Sequence, residues 1–151
     1  MNNWMLVSSP ENFETSRARG FDVAGMKSRH RRRWERVEPG DRVIFYLTGV
    51  KAIGGVARVA GDRFEDETPI WHSRREGENY PFRFPIEPTA TCEPGDYVPA
   101  EPLAREMEYT RRWPPENWTL AFQGNVHELS DADADLIEGA VRLQAGAVPT
   151  S

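Results

Sequence analysis

The first apolar run along the chain is Trp4 to Val7, which reads as a short strand whose two-residue period sends Trp4 and Leu6 to one side and Met5 and Val7 to the other. The next residues carry helix-start signals. Ser9 can cap, Pro10 suits the first helical position, and Asn12 lies three residues past the cap. Gly20 closes that helix and Gly25 marks the following turn. From there the spacing changes: Met26, His30, Trp34 and Val37 recur at four, four and three residues, one helical face. That period predicts a second helix docked on a sheet through Trp34, stopped by Pro39 and Gly40.

Arg42–Thr48 reads as a strand and Gly54–Ala60 as its neighbour, joined by the short link GVKAIGG. Ser73–Asn79 has the composition of a surface loop. Phe82–Ile86 alternates again, and Pro85 within it implies an edge, a bulge or a bend. Pro99–Glu108 predicts a helix with Leu103 and Met107 on one side. TRRWPPENW wraps the surface, and LAFQGN is a late strand. In SDADADLIEGAVRLQ, Ser130 caps a helix, Asp133 completes a short-armed capping box, and Leu136, Ile137, Ala140, Val141 and Leu143 form its apolar sector. The pattern is that of a mixed α+β fold with a strongly bent sheet or small barrel. Residues 1–146 read as one domain and 147–151 as a fraying tail.

Composition narrows the function classes. The 151 residues suffice for one domain with a proper core. No apolar run approaches the roughly 18 residues of a membrane-spanning helix. The N-terminal MNNWMLVSSPENF lacks the basic-then-apolar order of a secretory signal, and Cys92 is the single cysteine; both point to a cytoplasmic location. Net charge is −5, from 19 basic and 24 acidic residues, which argues against indiscriminate coating of nucleic acid. Lys27 to Arg36, however, holds six basic residues and one acid, a local +5, so the rest of the chain carries −10. Such a cluster attracts a polyanion despite the overall sign.

Chemistry-bearing motifs are few. His30, His72, His127 and Cys92 have no recognised metal-ligand spacing, and a lone cysteine is ordinarily a buried core residue. Glu65, Asp66 and Glu67 read as loop acids. GVKAIGG lacks the Gly-Lys-Ser/Thr ending of a phosphate loop. No cofactor is called for. The arginines fit three partners: phosphates, which their rigid forks grip in pairs of bonds; solvent and neighbouring acids; or an acidic protein. Trp4 and Trp34 fit the core. Trp71, between the polar stretches FEDETPI and HSRREGEN, fits either the wall of a recess or ordinary packing. Trp113 and Trp118 serve that recess or pin their segment down.

Four stretches in this order and spacing, NWMLVSSPENF, GMKSRHRRRWERVEPGDRVIFYLTG, IGGVARVAGDRFEDETPIW and YPFRFPIEP, together with the late FQGNVHELSDADADLI, resemble the EVE domain family. The resemblance spans nearly the whole chain. It implies a PUA-like curved β-barrel with flanking helices, related to YTH domains, and a recess that reads a base. YTH relatives bind N6-methyladenine in RNA, and EVE domains are regarded as readers of modified bases in DNA, modified cytosines among them. Ser9 and Asn12 match the YTH recess serine and asparagine, and Trp71 falls near one cage tryptophan. Lys27 stands where a second cage tryptophan is expected, so the aromatic cage departs from the YTH pattern.

The expected site thus comprises Ser9, Asn12, Trp71 and Arg83 at the recess, Arg83 having an ion pair with a loop acid as its alternative. Lys27, Arg29, Arg31, Arg32 and Arg33 are the candidates for phosphates, which position a strand without distinguishing bases. The leading expectation is a noncatalytic module that reads a modified base in DNA or RNA. Its alternatives are an enzyme acting on a nucleotide or modified base, and a protein or small-ligand binding module lacking nucleic-acid affinity.

Overall fold

The computed structural model describes residues 1–73, 75 and 77–146. The expected tail at 147–151 and two residues of the expected loop 73–79 lie outside the described residues. The strands are β1 (Asn3–Ser8), β2 (Val23–Met26), β3 (Arg42–Leu47), β4 (Ala52–Val59), β5 (Phe64–Glu65), β6 (Phe82–Thr91), β7 (Val98–Pro99) and β8 (Val126–Leu129). The α-helices are α1 (Pro10–Ala18), α2 (Arg31–Trp34), α3 (Ala100–Ala104) and α4 (Asp131–Gly146), with 3-10 turns at Ser28–His30 and Pro115–Phe122. The sheet runs β2-β6-β4-β3-β1-β8, with β5 added to β6 and β7 to β4. It is a mixed α+β fold, a curved and partially closed half-barrel flanked by helices.

Apolar residues on both faces of β3 explain the unbroken run VIFYL. Val43, Phe45 and Leu47 point into the barrel beside Trp4, Leu6, Phe13 and Phe84. Ile44 and Tyr46 point outward, where Ile137 and Val141 of α4, Leu103 and Trp118 cover them. A strand buried on both faces reads as continuous hydrophobicity rather than alternation. β1 lies between parallel β3 and antiparallel β8, and its alternation divides as expected, Trp4 and Leu6 inward and Met5 outward.

The Pro-Gly-Asp turn after the basic segment has a structural task. Asp41 is 1% exposed and accepts from Trp4 Nε1 at 3.0 Å, Glu38 N at 2.9 Å and Asn2 N at 2.9 Å. It ties the start of β1 to the segment that leads into β3. Arg36 adds a guanidinium 5.4 Å from the Trp4 ring centroid and pairs with Glu128 of β8.

Several expectations require correction. The long basic helix is a 3-10 turn followed by the single turn α2, because Met26 is drawn into β2 by pairing with Phe82. Its apolar face is still used: Met26, His30 and Val37 are buried, and Trp34 donates to Arg83 O at 2.9 Å. LAFQGN is not a strand; Leu120–Phe122 ends a 3-10 turn and β8 begins at Val126. The predicted helix at Pro99–Glu108 shortens to α3. Leu143 is 78% exposed and lies outside the apolar sector of α4. The Asp133 backbone N–H donates to the Ser130 Oγ cap, but its carboxylate accepts from Glu108 N and Tyr109 N at 2.8 and 2.9 Å instead of closing a capping box. Pro85 sits at a transition: β4 pairs with β6 from Ile86 onward, and β2 pairs with it from Pro85 back to Phe82.

Candidate functional site

The half-barrel leaves a seam between β2 and the β1–β8 pair, and a recess of about 50 Å³ opens there. Leu6, Phe13, Ala24, Met26 and Phe45 form its apolar lining, while Asn12, Ser16, Lys27 and Asn125 bring polar groups. Trp71 and Tyr80 wall it, their rings edge-to-face with centroids 5.7 Å apart. Among the described residues β2 pairs only with β6, so the strand edge facing away from β6 keeps unpaired backbone donors and acceptors. The recess adjoins a broader basin of about 540 Å³ that reaches Ser9, Arg29, Arg75 and Glu78.

Trp71 is held from three directions. Its indole N–H donates to Ser16 Oγ on α1 at 2.9 Å. The Asn12 amide donates to His72 O at 2.8 Å and accepts from His72 N at 2.9 Å, imitating a strand pairing between α1 and the loop. The Arg83 guanidinium lies 5.4 Å from the Trp71 ring centroid. Gly25 makes the seat: any Cβ there would stand 2.7 Å from Trp71 Cζ3.

The structure therefore brings Asn12 and Trp71 to the recess and Ser9 to the rim of the basin. Ser9 caps α1, its hydroxyl accepting from Asn12 N at 3.0 Å. Arg83 is not among the lining residues. It is 1% exposed, donates to Tyr80 O at 2.9 Å and to Thr68 O, and pairs with Asp66 at 3.5 Å, the ion-pair alternative. Burial pulls its pKa below the ordinary arginine value, with the Asp66 charge working against it. Trp113 and Trp118 pack on the outer core and not at the recess.

The basic cluster divides. Lys27 lines both recess and basin, and Arg29 lines the basin and donates to Asn125 Oδ1. Arg31, Arg32 and Arg33 are exposed on the adjoining turn, with no ion pair among the described residues. His30 is buried at the root of this cluster, its ring nitrogens 3.4 Å from Arg29 Nε and 3.3 Å from an Arg33 nitrogen. Burial first, and then the Arg29, Arg33 and Lys27 charges, lower its pKa to about 4, against a hydrogen bond with Asn125 that favours the charged form. Between the unfolded value of about 6.5 and that folded value, the unfolded chain binds more protons. Stability therefore falls as pH drops through that window, by about 1–3 kcal/mol. Denaturant melts of wild type and His30→Gln at pH 7, 5.5 and 4.5 are expected to converge as the pH falls; parallel curves would remove His30 as the cause.

The EVE domain model matches residues 2–140. The chain belongs to the EVE domain family. Over 147 residues this EVE domain is 26% identical to a UPF0310 protein of Pyrococcus abyssi, covering 91% of this chain and 98% of that protein. Its fold is similar to that of a YTH domain-containing protein, mmi1, in complex with RNA, with a TM-score of 0.65, 14% identity, and coverage of 96% of this chain and 86% of that one. It is also similar to the YTH domain of Zygosaccharomyces rouxii MRB1 in complex with N6-methyladenosine RNA, with a TM-score of 0.63, 15% identity, and coverage of 93% and 84%. At these identities the likeness is one of fold.

Tyr80, Ser16 and Asn125 complete the recess of this EVE domain and do not stand out in its sequence. Ser16 has a legible signal, since it lies one helical turn past Asn12 on the same face of α1. Tyr80 precedes β6 as the first residue of YPFRF, and only the fold shows that it meets Trp71. No group of three His, Cys, Asp or Glu side chains among the described residues is arranged to hold a metal ion. No helix among them is long and apolar enough to cross a membrane.

Proposed function

We propose that this EVE domain is a noncatalytic reader of one modified base in DNA or RNA. The recess takes a single extruded base against the Trp71–Tyr80 corner, and the cationic segment from Lys27 to Arg33 holds the neighbouring phosphates. Extrusion costs a few kcal/mol of pairing and stacking, and stacking on an aromatic side chain returns ~1–3 kcal/mol per base. The observation that supports this most is the aromatic-walled recess in an open barrel seam, adjoined by a basin that Arg29 and Arg75 reach. Family membership and the likeness to RNA-bound YTH folds support it independently.

Within this reading Asn12 acts through Trp71. Both ends of its amide are engaged by His72, so its contribution to base reading is to fix the loop that carries the stacking ring. Ser9 keeps Asn12 in place by capping α1, and Arg83 braces the loop from behind. The reading is of a cytoplasmic protein, which the single buried cysteine supports.

Titration with matched oligonucleotides, unmodified or carrying a methylated or oxidised base, as single and double strands and at several salt concentrations, tests the reading. Arg32→Ala combined with Arg33→Ala is expected to weaken all oligonucleotides alike and to flatten the salt dependence by about one unit of slope for each phosphate no longer neutralised. Asn12→Ala is expected to reduce the preference for modified over unmodified base and leave the salt slope unchanged. No association in dilute buffer, or a preference indifferent to the aromatic wall, would end the proposal.

A further inference from the structure

Most polar groups at the recess are already engaged by protein partners. Both polar ends of the Asn12 side chain serve His72, Ser16 Oγ accepts from Trp71, and Asn125 Oδ1 accepts from Arg29. Lys27 is the one charged side chain among the described residues that line the recess. Its side chain is only 12% exposed, it lines recess and basin together, and Glu78, at 3.0 Å, is the one carboxylate paired with it among the described residues. An ammonium carries three N–H donors and no acceptor, so one carboxylate leaves donors over. Those donors are held beside the Tyr80 ring, whose centroid is 5.5 Å from Nζ.

Building on the reader function proposed above, we infer that Lys27 is the residue that selects among bases, and that it favours a base whose substituent carries oxygen acceptors, an anionic one above all, over a base carrying only a methyl group. A methyl placed against a half-dried ammonium displaces water and offers no bond in return. A carboxyl or carbonyl oxygen restores the lost hydration as a charge-assisted hydrogen bond. The negative face of Tyr80 already has a cation beside it, so a positively charged or electron-poor base gains less from that ring than from an unoccupied aromatic cage. Glu78, itself held by the Ser73 hydroxyl, tempers this selectivity by competing for the ammonium. Lys27 thus specifies by what it donates, and Trp71 binds by what it stacks.

The test uses fluorescence anisotropy with otherwise identical oligonucleotides bearing cytosine, 5-methylcytosine, 5-carboxylcytosine or N6-methyladenine, at one fixed salt concentration. The wild-type chain is expected to bind the carboxyl probe about tenfold more tightly than the methyl probe, the worth of one hydrogen bond to a charged group. Lys27→Met, which keeps the stem and removes the charge, is expected to bring that ratio to about one, whatever it does to the affinity common to both probes. Glu78→Gln keeps Lys27 and is expected to widen the ratio, so the inference does not depend on one variant folding. Wild-type preference for the methyl probe, or an unchanged ratio in Lys27→Met, would overturn the inference. If Trp71→Ala then still abolished modified-over-unmodified preference, the reader function would stand without a selecting lysine. If no probe bound even in dilute salt, the reader function itself would fall and this inference with it.

Discussion

Alanine at position 25 is expected to strip this domain of base preference while leaving its general attraction to polyanions in place. The new Cβ would lie 2.7 Å from Trp71 Cζ3 and 3.2 Å from both the Cβ and the carbonyl oxygen of Tyr80. The Tyr80 carbonyl accepts from buried Arg83, so the backbone on that side has little room to retreat. The indole must move instead, stretching its 2.9 Å bond to Ser16 and opening the edge-to-face corner with Tyr80. Losing one aromatic stack is worth ~1–3 kcal/mol, so affinity for a modified-base oligonucleotide should fall roughly 5- to 150-fold. The exposed arginines of α2 are untouched, so the salt slope should not change. Anisotropy titrations at two salt concentrations measure both quantities. A thermal melt reports the overpacking cost, about 1–3 kcal/mol. An unchanged preference in a folded Gly25→Ala protein would mean that Trp71 does not stack on the base.

The largest stability effect is expected at Asp41, away from the recess. Alanine there leaves the Trp4 indole N–H and the amides of Glu38 and Asn2 without their acceptor, at a residue that is 1% exposed. Removing one buried charged partner and stranding its donors costs about 3–5 kcal/mol. Trp4 is fully buried in the inner barrel core, so the loss spreads to the β1–β3 pairing on which the sheet is built. Denaturant unfolding followed by tryptophan fluorescence should show the midpoint shift with little change in slope. Asp41→Asn keeps one acceptor and is expected to lose less. A loss below about 1 kcal/mol for Asp41→Ala would mean that water replaces the carboxylate at this turn.

Both effects come from close approach and from buried bonds, and the sequence displays these unevenly. The Ser9 cap, the Trp4/Leu6 alternation, the VIFYL strand and the final amphipathic helix are local patterns, and the fold contains them all. The basic helix reads too long because Met26, His30, Trp34 and Val37 keep a helical spacing that a strand residue, a 3-10 turn and a single α-turn satisfy as well. The late strand reads one segment early because Phe122 is apolar for another reason: it packs against Tyr46 on the outer face of β3. Asn12 and Arg83 are legible as polar residues with work to do, but the partners that define that work, His72, Tyr80, Thr68 and Asp66, lie on a loop whose path is not written in any local period.

By itself, then, the chain's sequence determined the family, the order of most elements, the cationic stretch and the prominence of Trp71, since each rests on residue type, short-range spacing or ordered motifs. Only the tertiary structure decided that the sheet stays open at β2, that Gly25 admits the indole there, that Asn12 tethers a loop, and that Lys27 lines recess and basin together. The reason is physical: a recess is made of side chains distant along the chain, and which of their hydrogen bonds remain free depends on what the fold packs against them.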